Sequence, residues 1–139
     1  MPQHSYVVLP LEGSPFNIKG LWTEKDKTLS LLRDAVGGHI TLIPSSIFRI
    51  HHSFIHENPR WRLADRLRTL PNTVVYCNEN GVYDCSPNMA TILTVTINSG
   101  CPHLWGDVVL KVSHNDLKKA GLSVESLTFS PDDGRFAEN

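Results

Sequence analysis

The chain has 139 residues, 40% of them hydrophobic and 19% charged, with a formal net charge of -1. A chain of about 150 residues buries roughly 68–70% of its unfolded surface, so this length supports one packed core without staples. The composition excludes a disordered chain, a sequence pI near 6.6 excludes an overall field for nucleic acid or anionic membrane, and no stretch approaches the ~20 apolar residues that span a bilayer.

Tyr6-Val7-Val8-Leu9 reads as a first strand, ended by Pro10 and the turn-rich Glu12-Gly13-Ser14-Pro15. Phe16 and Ile18 alternate around Asn17 as a short second extended piece. From Thr23 the period becomes helical, with Leu29, Leu32 and Val36 on one stripe. Thr23 and Asp26 form a variant capping box, and Gly37 and Gly38 supply a left-handed stop. His39-Ile40-Thr41-Leu42-Ile43 is a strand closed by Pro44. Residues 45–57 fit both a helical stripe and extended structure, so they are expected to be irregular or partly helical.

Asn58-Pro59 is an N-cap and first-turn pair, and Leu63, Leu67 and Leu70 give the following helix an apolar face. Thr73-Val74-Val75-Tyr76-Cys77 reads as a strand, Asn78-Glu79-Asn80-Gly81 as a hairpin turn and Val82-Tyr83-Asp84 as its partner. Ser86-Pro87-Asn88 opens either a short helix through Met89, Ala90, Ile92 and Leu93, or extended structure favoured by the β-branched run Thr94-Val95-Thr96-Ile97. Trp105 to Val112 closes the sheet, and Asn115 or Asp116 caps a last helix ending at Gly121. Residues 1–5 and 130–139 are expected to be frayed.

This order predicts one α+β domain over residues 1–139. It would hold a mixed, mostly antiparallel sheet with a central hairpin and three to four short helices. The start of the chain lacks the features of a secretory signal, and Cys77, Cys85 and Cys101 make an odd number, so free thiols and a reducing, cytoplasmic compartment are expected.

Several motifs point further. Val36-Gly37-Gly38-His39-Ile40, Asn78-Glu79-Asn80-Gly81, Ser86-Pro87-Asn88-Met89-Ala90 and Gly106-Asp107-Val108-Val109 together resemble a family of small uncharacterised domains of bacteriophage, plasmid and large-virus genomes. The resemblance covers about residues 30 to 130, interrupted by a longer segment at 45–70. It implies a mixed fold and an accessory role in a virus or mobile element, and it carries over no functional residues.

Two segments are candidate sites. Arg49, Arg60, Arg62, Arg66 and Arg68 lie close together with His51, His52 and His56, and only Glu57 and Asp65 oppose them. Arg60 and Arg62 fall in a first helical turn, where the macrodipole disfavours cations by about 0.3–1 kcal/mol each. An anion at the free amides would offset that, giving a phosphate or carboxylate site at Arg49, Arg60, Arg62 and Arg66, with Trp61 available to stack on a base. The alternative is a solvated helix face with an Asp65–Arg68 pair.

The second candidate is metal. His52 and His56 at i, i+4, with His51 or Glu57, suit a small metal-assisted hydrolase, although the spacing is not His-Glu-x-x-His. Cys77, Cys85, Cys101 and His103 are a rival ligand set without zinc-finger spacing. Asp132-Asp133 and Asp107 read as turn chemistry. With no nucleophile elbow, phosphate loop or dinucleotide fingerprint, the sequence predicts a non-catalytic binding protein without cofactor. Its partner would be a protein or a phosphate-bearing ligand, nucleic acid included. A structural, self-assembling protein is the remaining alternative.

Overall fold

The computed structural model describes residues 4–18, 25–94 and 102–122. Five strands, β1 (His4–Leu9), β2 (Phe16–Ile18), β3 (Ile40–Ile43), β5 (Val74–Asn78) and β7 (Val108–Ser113), form one sheet in the order β2-β1-β7-β5-β3, antiparallel throughout. The α+β class with a mostly antiparallel sheet holds. Strands β4 (Phe48–Ile50) and β6 (Thr91–Leu93) make a second, two-stranded sheet.

The strand sequences explain why the sheet is covered on both faces. Alternate side chains of a strand point to opposite faces. Val7, Leu9, Val75, Cys77, Val108, Leu110 and Val112 enter one apolar cluster, and Tyr6, Val8 and Val109 enter another. Continuous runs such as Tyr6-Val7-Val8-Leu9 therefore bury every residue, where a half-solvated strand would alternate.

Helix α1 (Lys25–Val36) covers the second face through Leu32, Ala35 and Val36, while Leu29 of the expected stripe is exposed. Gly37 stops it at φ +81° as its position predicts, and the Thr23 cap lies outside the described residues. The first face carries α3 (Pro59–Arg68), which buries Trp61, Ala64 and Leu67 and leaves Leu63 and Leu70 half-buried. It also carries the β4–β6 pair and α5 (His114–Lys119), which contributes Leu117.

Residues 45–57 are partly helical as expected, dividing into a 3-10 turn (Ser45–Ile47), β4 and a short helix α2 (His52–Glu57). Other expectations are corrected. Five α-helices, not three or four, are present among the described residues. There is no hairpin at 78–81, because Gly81–Asp84 forms the helical turn α4 and β5 pairs instead with β3 and β7. The side chain of Asn78 is the reason. Its Nδ2 donates to the Val36 carbonyl at 3.1 Å, and its Oδ1 accepts from the Asn80 amide at 2.7 Å. Gly81 does not take positive φ; it lies so close to Trp105 that a Cβ would stand 2.7 Å from the Trp105 Cβ.

Asn88 opens no helix. Its Nδ2 donates to the carbonyls of Leu9 and Gly106, tying the 88–91 turn to the large sheet. The last strand begins at Val108 and not Trp105, and α5 begins at His114. β1 starts at His4, paired with Ser113, so the strand reaches into residues expected to be frayed. The 130–139 tail, the run 95–97 and Asp132-Asp133 lie outside the described residues.

Candidate binding sites

The arginines of residues 49–68 do not converge. Arg49 folds back on its own chain, its Nη1 donating to the carbonyls of Ser46 and Phe48 at 3.0 and 2.8 Å. Arg66 reaches the Ala120 carbonyl at the end of α5, and Arg68 pairs with Asp65 at 2.8 Å. Trp61 is 3% exposed and meets Phe54 edge to face, with ring centroids 5.3 Å apart, so it has no face for a base.

The amides at the start of α3 are engaged as well. Asn58 Oδ1 accepts from Arg60 N, the Asn58 carbonyl accepts from Trp61 and Arg62, and Pro59 has no N–H. The predicted cap is present, and it occupies the donors that an anion would use. Arg62 stays exposed and without an acidic partner among the described residues.

The histidines are equally local. His51 Nδ1 accepts from the Ser53 amide as the N-cap of α2, and its ring stacks on His52 at 4.6 Å; His52 meets His56 edge to face at 6.3 Å. Among the described residues, no group of three or more His, Cys, Asp or Glu side chains is placed to hold a metal ion. The side chain of Glu57 and the whole of Cys101 lie outside that description.

The other members of the rival set do separate work. Cys77 is buried, which pushes its thiol up to about 11, and Cys85 is raised by burial and by the carboxylates of Asp84 and Asp107. A nucleophilic cysteine needs the opposite shift. His103 Nδ1 donates to the Thr91 carbonyl at 2.6 Å. Asp107 accepts from the Leu11 amide at 2.8 Å, a tie between segments far apart in the chain instead of the local turn chemistry expected of it.

A cavity of about 370 Å³ opens beside β3 instead. Thr41, Ile43 and Cys77 belong to the sheet wall, and Leu93, His103 to Trp105, Gly81 and Val82 close the other side. The tight contact of Gly81 with Trp105 sets α4 against this wall, so the apparent hairpin glycine shapes a cleft. A second cavity, about 590 Å³, is lined by Glu12, Asp34, Asp84 and Asp107 with no basic side chain among its described walls.

Beside the first cavity lies an open sheet edge. In an antiparallel pair, directly opposite residues alternate between exchanging backbone hydrogen bonds and turning those groups away. Glu79 N donates to the His39 carbonyl, so His39, Thr41 and Ile43 bond toward β5. Ile40 and Leu42 therefore aim their N–H and C=O outward, and among the described residues no strand pairs with them. Leu42 is 59% exposed, and no charged residue lies between 40 and 43. The sequence signalled this strand but not its place at the rim, which depends on partners 32 or more positions away in the chain.

No helix among the described residues is long and apolar enough to cross a membrane. No family model, curated protein or solved structure matches the chain.

Proposed function

We propose that the chain is a non-catalytic binding protein whose partner is another protein, added as an extended strand along β3 with one side chain in the cleft behind it. The observation that carries this reading is the outward-facing backbone of Ile40 and Leu42 next to a 370 Å³ cavity. Strand addition works through such a pairing: main-chain hydrogen bonds give affinity and pockets for alternate side chains give specificity. A residue opposite Thr41 in the added strand points to the same face as Thr41, which lines the cleft.

The phosphate reading of the arginine segment loses Arg49, Arg66 and Trp61, which are engaged elsewhere. An accessory role in a virus or mobile element rests on the motif resemblance alone.

The test is selection of a phage-displayed random peptide library on the purified chain and on Leu42→Pro. Proline at 42 removes an outward donor while sparing the ladder to β5. Enrichment of a sequence class on the native chain that disappears with Leu42→Pro supports the reading. Enrichment indifferent to that substitution contradicts it.

A further inference from the structure

We infer that the edge of β3, unpaired among the described residues, also accepts β3 of a second copy of this chain, giving a twofold dimer in which two five-stranded sheets become one continuous sheet. The inference rests on reading the edge as a pairing site, and it names one partner for it.

The register follows from the backbone. Only Ile40 and Leu42 offer outward groups, and an antiparallel bonded pair requires outward groups on both sides. One alignment uses both residues of both copies: Ile40 opposite Leu42 of the partner, Leu42 opposite Ile40 of the partner, and Thr41 on the twofold axis. Sliding by two residues in either direction leaves one of the two outward residues of each copy unbonded. The strand is thus self-complementary, as an isologous interface must be.

The side chains agree with that register. Ile40 and Leu42 share the α1 face of the sheet, where Ile40 packs against the α1 cluster and Leu42 is left 59% exposed. The pairing sets Ile40 of the partner subunit directly across from Leu42 and covers it. On the other face Thr41 meets its own symmetry mate, a favourable cross-strand pair. Monomeric proteins commonly block an edge strand with lysine, proline or a bulge; here residues 40–43 carry no charge, and proline comes only at Pro44, past the pairing residues.

A four-residue strand pair is small compared with the roughly 1,200–2,000 Å² of a stable interface, so the dimer is reversible. It also leaves the cleft unfilled, because threonine is the side chain opposite Thr41. A partner strand with a larger residue at that position fills the cleft and displaces the second copy.

Sedimentation of the native chain from millimolar to micromolar concentration, together with Leu42→Pro and with Thr41→Cys and Ile43→Cys under mild oxidation, tests this; both cysteine variants carry Cys77→Ala, because Cys77 stands directly across from position 41 and would bridge to it within one chain. Opposed non-bonded residues stand about 4.5 Å apart at Cα, within disulfide reach, whereas position 43 is two residues off the axis. The expected result is twice the 15.6 kDa chain mass at high concentration, lost in Leu42→Pro, with Thr41→Cys cross-linking at least tenfold faster than Ile43→Cys or the native chain. A mass of one chain throughout, or equal cross-linking of the two cysteine variants, overturns the dimer. If peptide selection is nonetheless sensitive to Leu42→Pro, strand addition stands and only self-pairing falls. If neither is seen, both fall.

Discussion

The arginine-rich segment at 49–68 and the neutral strand at 40–43 make opposite impressions in sequence and in space. The first concentrates five guanidinium groups, three imidazoles and a tryptophan, yet Arg49, Arg66, Arg68, His51 and Trp61 are held by carbonyls, Asp65, Ser53 and Phe54. The second has no chemistry-bearing side chain beyond Thr41, yet it turns backbone donors and acceptors outward beside a cleft. A dense run of functional groups is not a site when most of its members are tied to separate partners. An ordinary strand becomes one when the topology leaves it at the rim.

The comparison breaks most visibly at Trp61. If it anchors α3 in the core, Trp61→Ala lowers stability by about 3–5 kcal/mol in urea unfolding; a surface stacking residue would cost far less. Next in size is a proline pair on β3. Thr41→Pro deletes a donor that bonds into β5 and is expected to cost about 1–3 kcal/mol, whereas Leu42→Pro deletes an outward donor and costs less than about 1 kcal/mol in the monomer. Equal losses would mean that the alternation along β3 is misassigned.

Acid sharpens the comparison by fixing where the variants should be measured. Burial lowers the pKa of both His4 and His114 below the ordinary 6.5, with Lys111 and His114 adding to the effect on His4 against an opposing pull from Asp116. The fold favours their neutral rings, so the stability they contribute is present above pH 6.5 and is lost as pH falls through the lowered values. Melting temperature should fall between pH 7 and 5, and His4→Gln with His114→Gln should flatten that part of the profile. The smallest effect belongs to Arg62→Ala. Removing a cation from the first turn of α3 is expected to raise stability by about 0.3–1 kcal/mol and to leave peptide selection unchanged.

Much of the fold was legible because its causes are local. The Asn58-Pro59 cap, the Gly37 stop and the apolar runs Tyr6–Leu9 and Val108–Leu110 each sit where the sequence puts them. The hairpin at Asn80-Gly81 was misread because the forces acting there come from far along the chain. Asn78 answers to Val36, and Gly81 makes room for Trp105. Trp61 read as an available ring because its partner, Phe54, lay in the segment whose structure the periodicity left open. The candidate site was the least legible part, since no side-chain motif marks an unpaired edge.

The central claim is that the outer edge of β3 is open in the monomer and closes on an added strand. Residue-resolved amide hydrogen exchange tests it directly. At high dilution the Ile40 and Leu42 amides should exchange freely while those of Thr41 and Ile43 are protected by β5, and protection should spread to Ile40 and Leu42 at high protein concentration or with a selected peptide. Protection of Ile40 and Leu42 already at high dilution, or its absence under every condition, would contradict the account.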